Sequence, residues 1–394
     1  MKILHLAPYE KKFFAFAADI FDTQDVDNQY IILTKDVRRA REFFANRKNF
    51  RIEHTRYIRS DSFACDLKEC DCLVVHFLHI IKAQAIMRTP KHLPVVWAGW
   101  GGDYYDLLSQ SGFKLLGDRT QQLVYTLERQ IGCSTTKIIR RFKALISKIR
   151  YSVFYAPIIK KAIKRVDFFS SPFEEDFALL RSHFEKDFDP IYTRIFYGSV
   201  ERTFMSGVES IYGNNILIGN SATATNNHLE VFEMLSTHDL GDRKIIVPLS
   251  YGDTNYRDAI IAYGSSLFGD RFQPVVDLMP LDEYNTHIAQ CSMVVMGHRR
   301  QEGAGNTFTM LYKGSKVFLD EANTVYQYLK NNGAYVYALQ DLRSGEESIF
   351  DALTDEQKHK NRQVMEEYTG NEVVLRGMRD FIRQIKEYGV RKHA

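Results

Sequence analysis

Met293-Val294-Val295-Met296-Gly297-His298-Arg299-Arg300-Gln301-Glu302-Gly303-Ala304-Gly305-Asn306-Thr307 runs from an apolar stretch through a polar, basic loop into a Gly-x-Gly turn. The turn opens a helix that continues through Thr309–Tyr312. An undiluted apolar run that stops at a turn is the pattern of a strand buried on both faces, which belongs in a parallel sheet covered by helices. A helix N-terminus presents free N–H groups and partial positive charge, and glycine lets an anion approach the backbone. The stretch therefore reads as a phosphate-binding loop over Gly303 and Gly305, with Arg300 placed for a bidentate contact. Gln301, Glu302 and Asn306 lie inside the same loop. The plainer alternative is a tight turn between a strand and a helix.

The same alternation extends outward in both directions. Around this stretch a series runs Ile216–Ile218, Lys244–Pro248, Met293–Met296 and Lys316–Leu319, with helical segments between. Earlier in the chain, Lys2–Leu6, Tyr30–Thr34, Cys72–Phe77 and Val95–Trp97 alternate with helix-like Phe13–Phe21, Val37–Asn46 and Ile80–Arg88. Two such series predict two doubly wound α/β domains. The boundary falls between Ile191 and Asn215, where Gly198, Gly207 and Gly213 break any periodic pattern. The expected organisation is 1–200, 201–370 and a C-terminal helix over 371–394 that can pack back on the first domain. No Pro- or Ser-rich linker is visible, so the domains are expected to face each other across a cleft. Glu356–Tyr388 reads as helical by its charge pattern.

Two further loops of the second series follow strands and should share one rim with the first. Gly219-Asn220-Ser221, with His228 opening the next helix, offers small hydroxyl and amide groups suited to a nucleotide, or an ordinary capped loop. Pro248-Leu249-Ser250-Tyr251-Gly252-Asp253 places Tyr251 either to stack on a base or to cap the sheet. In the first series, Trp97-Ala98-Gly99-Trp100-Gly101-Gly102-Asp103-Tyr104-Tyr105 sets a carboxylate among glycines and aromatics. Burial beside rings raises a carboxylate's pKa and suits Asp103 to general-base work. Its alternative role is to cap the following helix. His76 and His79 are the second candidates for that base.

The chain has 394 residues, a net charge of +3, and is 45% hydrophobic and 26% charged. Two or three domains with ordinary globular cores follow, and a disordered or fibrous protein is excluded. Near-neutral charge argues against a nucleic-acid partner. Cys65, Cys70, Cys72, Cys133 and Cys291 are odd in number and irregularly spaced, so neither a disulfide framework nor a zinc site is expected. No leader and no membrane-spanning run is visible. One segment stands apart: Ser134–Val166 holds no acidic residue and ten basic ones, among them Lys137, Arg140, Arg141, Lys148 and Arg150. Apolar residues recur between them at helical spacing. This is either a helix docked on an anionic membrane or a core-packed helix with a solvated basic face.

Gly219-Asn220-Ser221 with His228, Val247-Pro248-x-x-Tyr251, Arg300-Gln301-x-Gly303-x-Gly305, and Asn323 with Gln327 occur in an order that resembles glycosyltransferase family 56. In the first domain the likeness is confined to Trp100-Gly101-x-Asp103-x-Tyr105, and Ser109–Arg150 looks like an expanded insertion. The family transfers N-acetylfucosamine from a TDP-sugar to lipid II in enterobacterial common antigen assembly. The resemblance implies a GT-B fold, two facing Rossmann-like domains with a cleft between them. It implies an inverting, metal-independent transfer with no cofactor, from a TDP-linked deoxy-amino sugar (4-acetamido-4,6-dideoxygalactose or similar) to an undecaprenyl-diphosphate-linked glycan. The setting it implies is peripheral, at the cytoplasmic face of the bacterial inner membrane. Donor contacts carried over are Gly219, Asn220, Ser221, His228, Pro248, Tyr251, Gly252, Arg300, Gln301, Glu302, Gly303, Gly305, Asn306 and Asn323. Retaining GT-B enzymes carry a ribose-binding Glu eight residues after the Glu of this turn; here that position is Met310, which fits a 2′-deoxyribose. Glu302 stands where the family more often has Gln. A GT-B-fold sugar-nucleotide epimerase and a non-catalytic nucleotide-sugar-binding protein are the alternatives.

Overall fold

A computed structural model describes residues 1–10, 13–130, 155–204, 208–344 and 347–393. These residues form two units, one drawn from 1–111, 155–198 and 372–393, the other from 112–130 and 199–371.

The first unit holds strands β1 (Lys2–Pro8), β2 (Asp27–Thr34), β3 (Phe50–His54), β4 (Cys72–His76), β5 (Val95–Ala98), β6 (Phe168–Ser170) and β7 (Ile191–Thr193). They pair in parallel in the order β3-β2-β1-β4-β5-β6-β7. Every residue of β4 and β5 is buried, as expected for strands covered on both faces. The expected C-terminal helical stretch is broken at Gly370 into Asp355–Thr369 and Asn371–His393. From the second of these, Val374, Met378, Phe381, Ile382 and Ile385 recur at three- and four-residue steps and join the core of Ile3, Phe14, Phe21 and Val74.

The second unit holds β8 (Asn215–Ile218), β9 (Ile245–Pro248), β10 (Phe272–Val275), β11 (Cys291–Met296), β12 (Lys316–Leu319) and β13 (Val336–Ala338). Their order is β10-β9-β8-β11-β12-β13, again all parallel. Counted from its own first strand, each sheet begins 3-2-1-4-5-6, the Rossmann order. Each therefore has a switch point, between β1 and β4 and between β8 and β11, where an open α/β sheet takes ligands beyond the carboxyl ends of its strands.

Residues 112–130 fold with the second unit although they lie between two parts of the first in sequence. Leu123 and Leu127 of the helix Asp118–Gln130 pack on the core that holds Val231 and Leu235. Gly117 N donates to Asn227 Oδ1 at 2.9 Å, and Thr120 N to Glu230 Oε1 at 2.9 Å.

Of the basic segment, Lys137, Arg140, Arg141, Lys148 and Arg150 lie outside the described residues. The helix Ala156–Arg165 buries Ile159, Ala162 and Ile163 and packs on the helix Ile80–Arg88. Lys160, Lys161 and Lys164 stay exposed. This described part is thus core-packed with a solvated basic face. Among the described residues, no helix is long and apolar enough to cross a membrane.

Candidate functional site

Three loops meet at the switch point of the second unit. Gly219, at φ 68°, ends β8 in the left-handed region that glycine adopts freely. A Cβ there would lie 2.5 Å from Asn226 Oδ1 and 2.8 Å from His228 Nε2, so side-chain-free backbone is needed as well. Asn226 Oδ1 then receives Asn220 N at 2.8 Å, which sets the next residue. Asn220 reaches both other loops: Nδ2 donates to the Tyr251 hydroxyl at 3.0 Å, and Oδ1 faces His298 Nε2 at 3.0 Å. The loop after β9 is held by a parallel bridge between Ala222 and Gly252, where a Cβ would lie 2.4 Å from Ala222 O. Pro248 is the buried last residue of β9. Tyr251 is 55% exposed.

The loop after β11 carries the charges. Arg300 Nε donates to Glu302 Oε2 at 2.7 Å, and Thr225 Oγ1 donates to the same oxygen at 2.5 Å. Burial alone would raise the Glu302 carboxyl; His298, Arg300 and Thr225 outweigh it and hold the group below its usual range. Burial pushes His298 down to about 4, so it is neutral at pH 7. Asn323 Nδ2 donates to His298 O at 2.9 Å and Arg300 O at 3.0 Å, while Asn323 Oδ1 caps the helix Thr324–Asn331. Gly303 sits at φ 66° as N-cap of the helix Ala304–Lys313, and the first N–H groups of a helix have no partner within it. A Cβ added to Gly305 would meet nothing within 4 Å. Asn306 Nδ2 donates to the Tyr284 hydroxyl at 2.6 Å.

Several buried polar atoms around this point have no partner among the described residues: His228 Nε2, His298 Nδ1, Gln301 Oε1 and Thr307 Oγ1. Orphaned buried polar atoms are uncommon and call for an explanation such as a missing ligand. The residues named from sequence divide accordingly. Gly219, Asn220, Tyr251, Gly252, Arg300, Gln301, Glu302, Gly303, Gly305 and Asn306 are brought to one rim. Asn323, Pro248 and Ser221 are buried and shape the loops from beneath; Ser221 shares a hydrogen bond with Thr223. His228 is fully buried, with Nδ1 3.1 Å from the Tyr256 hydroxyl. Thr223, Thr225, Asn226, His298 and Thr307 were not singled out by sequence reasoning, although all lie within the two loops it identified.

In the first unit, Asp103 is not the helix cap. Gly101 is the N-cap of Gly102–Gln110, and Asp103 lies one residue inside the helix, 5% exposed. Its Oδ2 accepts from Leu78 N and Trp97 Nε1, both at 2.8 Å, and its Oδ1 from Trp100 N at 2.9 Å. Burial raises its pKa against the opposing pull of these donors. Lys82, also fully buried, donates to His76 O and to Phe77 O. Phe77 stands at φ 58°, a strained position for an aromatic residue. Asp103 and Lys82 together therefore clamp the turn that leaves β4. This geometry fits an anchor of the loop better than an accessible base, because its lone pairs are already engaged. His79 caps the helix Ile80–Arg88 through Nδ1, which accepts from Ile81 N at 3.2 Å, and burial lowers it to about 4. His76 is fully buried between His5 and Tyr197.

Among the described residues, no group of three His, Cys, Asp or Glu side chains is arranged to hold a metal ion. Solved structures with a similar fold include Anabaena HepE in complex with UDP and glucose (TM-score 0.61, 10% identity, 98% of this chain and 100% of that one). The apo lipopolysaccharide outer core galactosyltransferase WaaB matches with a TM-score of 0.60 at 10% identity, over 98% of this chain and 99% of that one. Sucrose-phosphate synthase from Thermosynechococcus elongatus matches with a TM-score of 0.61 at 8% identity, over 98% and 99%. At such identities the likeness establishes the fold alone: paired Rossmann units of the GT-B glycosyltransferase class. The family model for the 4-alpha-L-fucosyltransferases matches residues 146–358, more than half of the sequence and most of the unit that carries the switch point described above. The chain thus belongs to glycosyl transferase group 56, and it is a glycosyltransferase.

Proposed function

We propose that this glycosyltransferase moves a deoxy-amino sugar from a TDP-sugar to a lipid-linked glycan, with inversion and without a metal ion, at the cytoplasmic face of the bacterial inner membrane. The observation that carries the donor half is the opening of the helix Ala304–Lys313. There a left-handed Gly303, open space at Gly305 and the orphaned Thr307 hydroxyl surround free backbone N–H groups. A diphosphate fits that chemistry. Arg300 makes its ion pair through Nε, which leaves its terminal nitrogens for a phosphate oxygen. Tyr251, more than half exposed, is the residue assigned to the base. Met310, where a ribose-binding carboxylate would stand, is fully buried, which favours a sugar lacking the 2′-hydroxyl. UDP bound to HepE, a protein of similar fold, supports a nucleotide-linked donor in general.

In the transfer, the acceptor hydroxyl oxygen forms a bond to the anomeric carbon as the bond from that carbon to the diphosphate oxygen breaks, and the proton of the hydroxyl passes to solvent water. The departing negative charge is met by the helix N–H groups and Arg300, which supplies the stabilisation a metal would otherwise give. Asp103 acts here by fixing the Trp100 and Phe77 loops rather than by taking the proton. The exposed lysines of Ala156–Arg165, with the basic residues before them, support contact with an anionic surface.

A thermal-shift panel of TDP, UDP, GDP and CMP tests the donor assignment. TDP is expected to give the largest rise in melting temperature; a preference for GDP or CMP would refute it.

A further inference from the structure

Residues 35–48 of the first unit hold six basic side chains, Lys35, Arg38, Arg39, Arg41, Arg47 and Lys48, against two acidic ones, Asp36 and Glu42. That is a net +4 in fourteen residues, when the whole chain carries +3. The helix Val37–Phe43 lies in this stretch, directly after β2. Its one buried residue, Ala40, joins the core of Phe14 and Val74 together with Phe44 at the helix end. With that face turned inward, Arg38, Arg39, Arg41 and Phe43 are exposed, and so are Lys35 and Lys48 on either side.

The carboxylates within reach are engaged. Asp36 caps the helix, its Oδ1 accepting from Arg39 N at 3.2 Å. Glu42 pairs with Arg38 at 3.3 Å, and Asp19 pairs with Arg47 at 2.7 Å. Among the described residues, no ion pair reaches Lys35, Arg39, Arg41 or Lys48. Four such cations on one short stretch repel one another. A solvated basic face would account for the charges alone. It does not account for Phe43, which is 44% exposed on the same helix. Phe43 lies one turn from Arg39, so the two share one side of the helix. Its ring meets the rings of Phe44 and of half-buried Tyr9 edge-on, with centroids 4.9 Å and 6.2 Å away.

Exposed guanidinium groups beside an exposed aromatic ring match the chemistry of an anionic bilayer. Arginine grips phosphate oxygens through paired N–H groups, and an aromatic ring sits among the headgroups. We propose that the helix Val37–Phe43 and its flanks are a docking surface for anionic phospholipid, with Lys35, Arg39, Arg41 and Lys48 on headgroup phosphates and Phe43 seated between them. This rests on the membrane setting of the proposed function, and it assigns a surface distinct from the lysines of Ala156–Arg165.

The test measures binding of three proteins to phosphatidylglycerol and phosphatidylcholine vesicles: wild type, the double variant Arg39→Gln, Arg41→Gln, and Phe43→Trp. Each cation at an anionic surface is worth a factor of about five in affinity. The double variant should therefore bind phosphatidylglycerol roughly twentyfold more weakly, with its melting temperature unchanged. The emission of Phe43→Trp, measured against wild type, should rise and shift to the blue on phosphatidylglycerol and stay unchanged with phosphatidylcholine. Equal binding of the double variant and wild type overturns the proposal, and so does unchanged emission of Phe43→Trp on bound vesicles. Release of wild type from the vesicles by a short single-stranded oligonucleotide would make nucleic acid the occupant and overturn it too. Wild type that binds neither vesicle overturns the membrane setting beneath the proposal. If the double variant melts lower than wild type, Phe43→Trp, which keeps every charge, still decides.

Discussion

Asn220 Oδ1 faces His298 Nε2 at 3.0 Å, so one side chain ties the loop after β8 to the loop after β11. Because Asn220 Nδ2 is spent on the Tyr251 hydroxyl, its oxygen is the acceptor, and His298 must donate from Nε2. The bare Nδ1 of His298 is then a buried acceptor without a partner among the described residues, which suits a ligand that brings a donor. Asn220→Ala strands both partners, and nucleotide affinity should fall about tenfold, the cost of one or two such bonds. Calorimetric titration with TDP checks this, and unchanged affinity would separate these loops from the nucleotide.

Gly303 and Gly305 should respond differently. Gly303→Ala forces a side chain into the left-handed region, at a cost of roughly 1–2 kcal/mol. Its melting temperature should drop. Gly305→Ala meets open space and should fold as wild type, yet it fills the place where a phosphate approaches the helix. The expected outcome is unchanged melting with TDP affinity lowered at least about tenfold. A Gly305→Ala protein with normal TDP affinity would remove the diphosphate from this helix start.

Asp103→Asn tests the anchor. An amide NH2 must face one of the N–H donors from Leu78, Trp97 or Trp100, so a bond becomes a clash. The loss should be roughly 2–4 kcal/mol, as for buried bonds to a charged group. Chemical denaturation measures it. A variant of wild-type stability that has lost only turnover would restore Asp103 as the base.

The central strands were legible because β4, β5, β8 and β11 are uninterrupted apolar runs, which only a covered parallel sheet explains. The edges were not. β3 reads Phe-Arg-Ile-Glu-His, β7 is three residues long with Ile191 47% exposed, and β10 contains Pro274, which an edge strand tolerates. The loops of the donor crevice were legible as loops, since glycine and small polar residues follow each strand. Their internal bonds were not: Thr225 and Glu302 are 77 residues apart, and His76 and Tyr197 are 121 apart. The return of residues 112–130 to the second unit is equally silent locally, because Gly117 meets Asn227 from 110 residues away.

Acid should loosen the fold through its buried histidines. Burial lowers His5 and His228 to about 3, His79 and His298 to about 4, and His76 well below its ordinary value. In the unfolded chain each titrates near 6.5. Their neutral-state stability is thus present in full above about pH 6.5 and is lost as pH falls toward 4, where only the unfolded chain takes up protons. Denaturation at pH 7.5, 6 and 5 should show falling stability, with uptake near pH 5 approaching one proton per buried histidine. Flat stability over that range would mean these rings are not buried neutral.

For the membrane, the protein should sediment with phosphatidylglycerol vesicles and leave them in high salt. Reversing Arg140, Arg141 and Lys148 to Glu should abolish sedimentation while melting stays unchanged. Sedimentation equal to wild type would leave this segment no role at a lipid surface.

Transfer itself is tested most directly by incubating the protein with a TDP-linked deoxy-amino sugar, with and without a short-chain polyprenyl-diphosphate saccharide, and following TDP release and the anomeric configuration of the product. The expected result is release only when the acceptor is present, with one sugar added and its anomeric configuration inverted. A changed sugar without acceptor would make the protein an epimerase, and binding with no product under either condition would contradict transfer altogether.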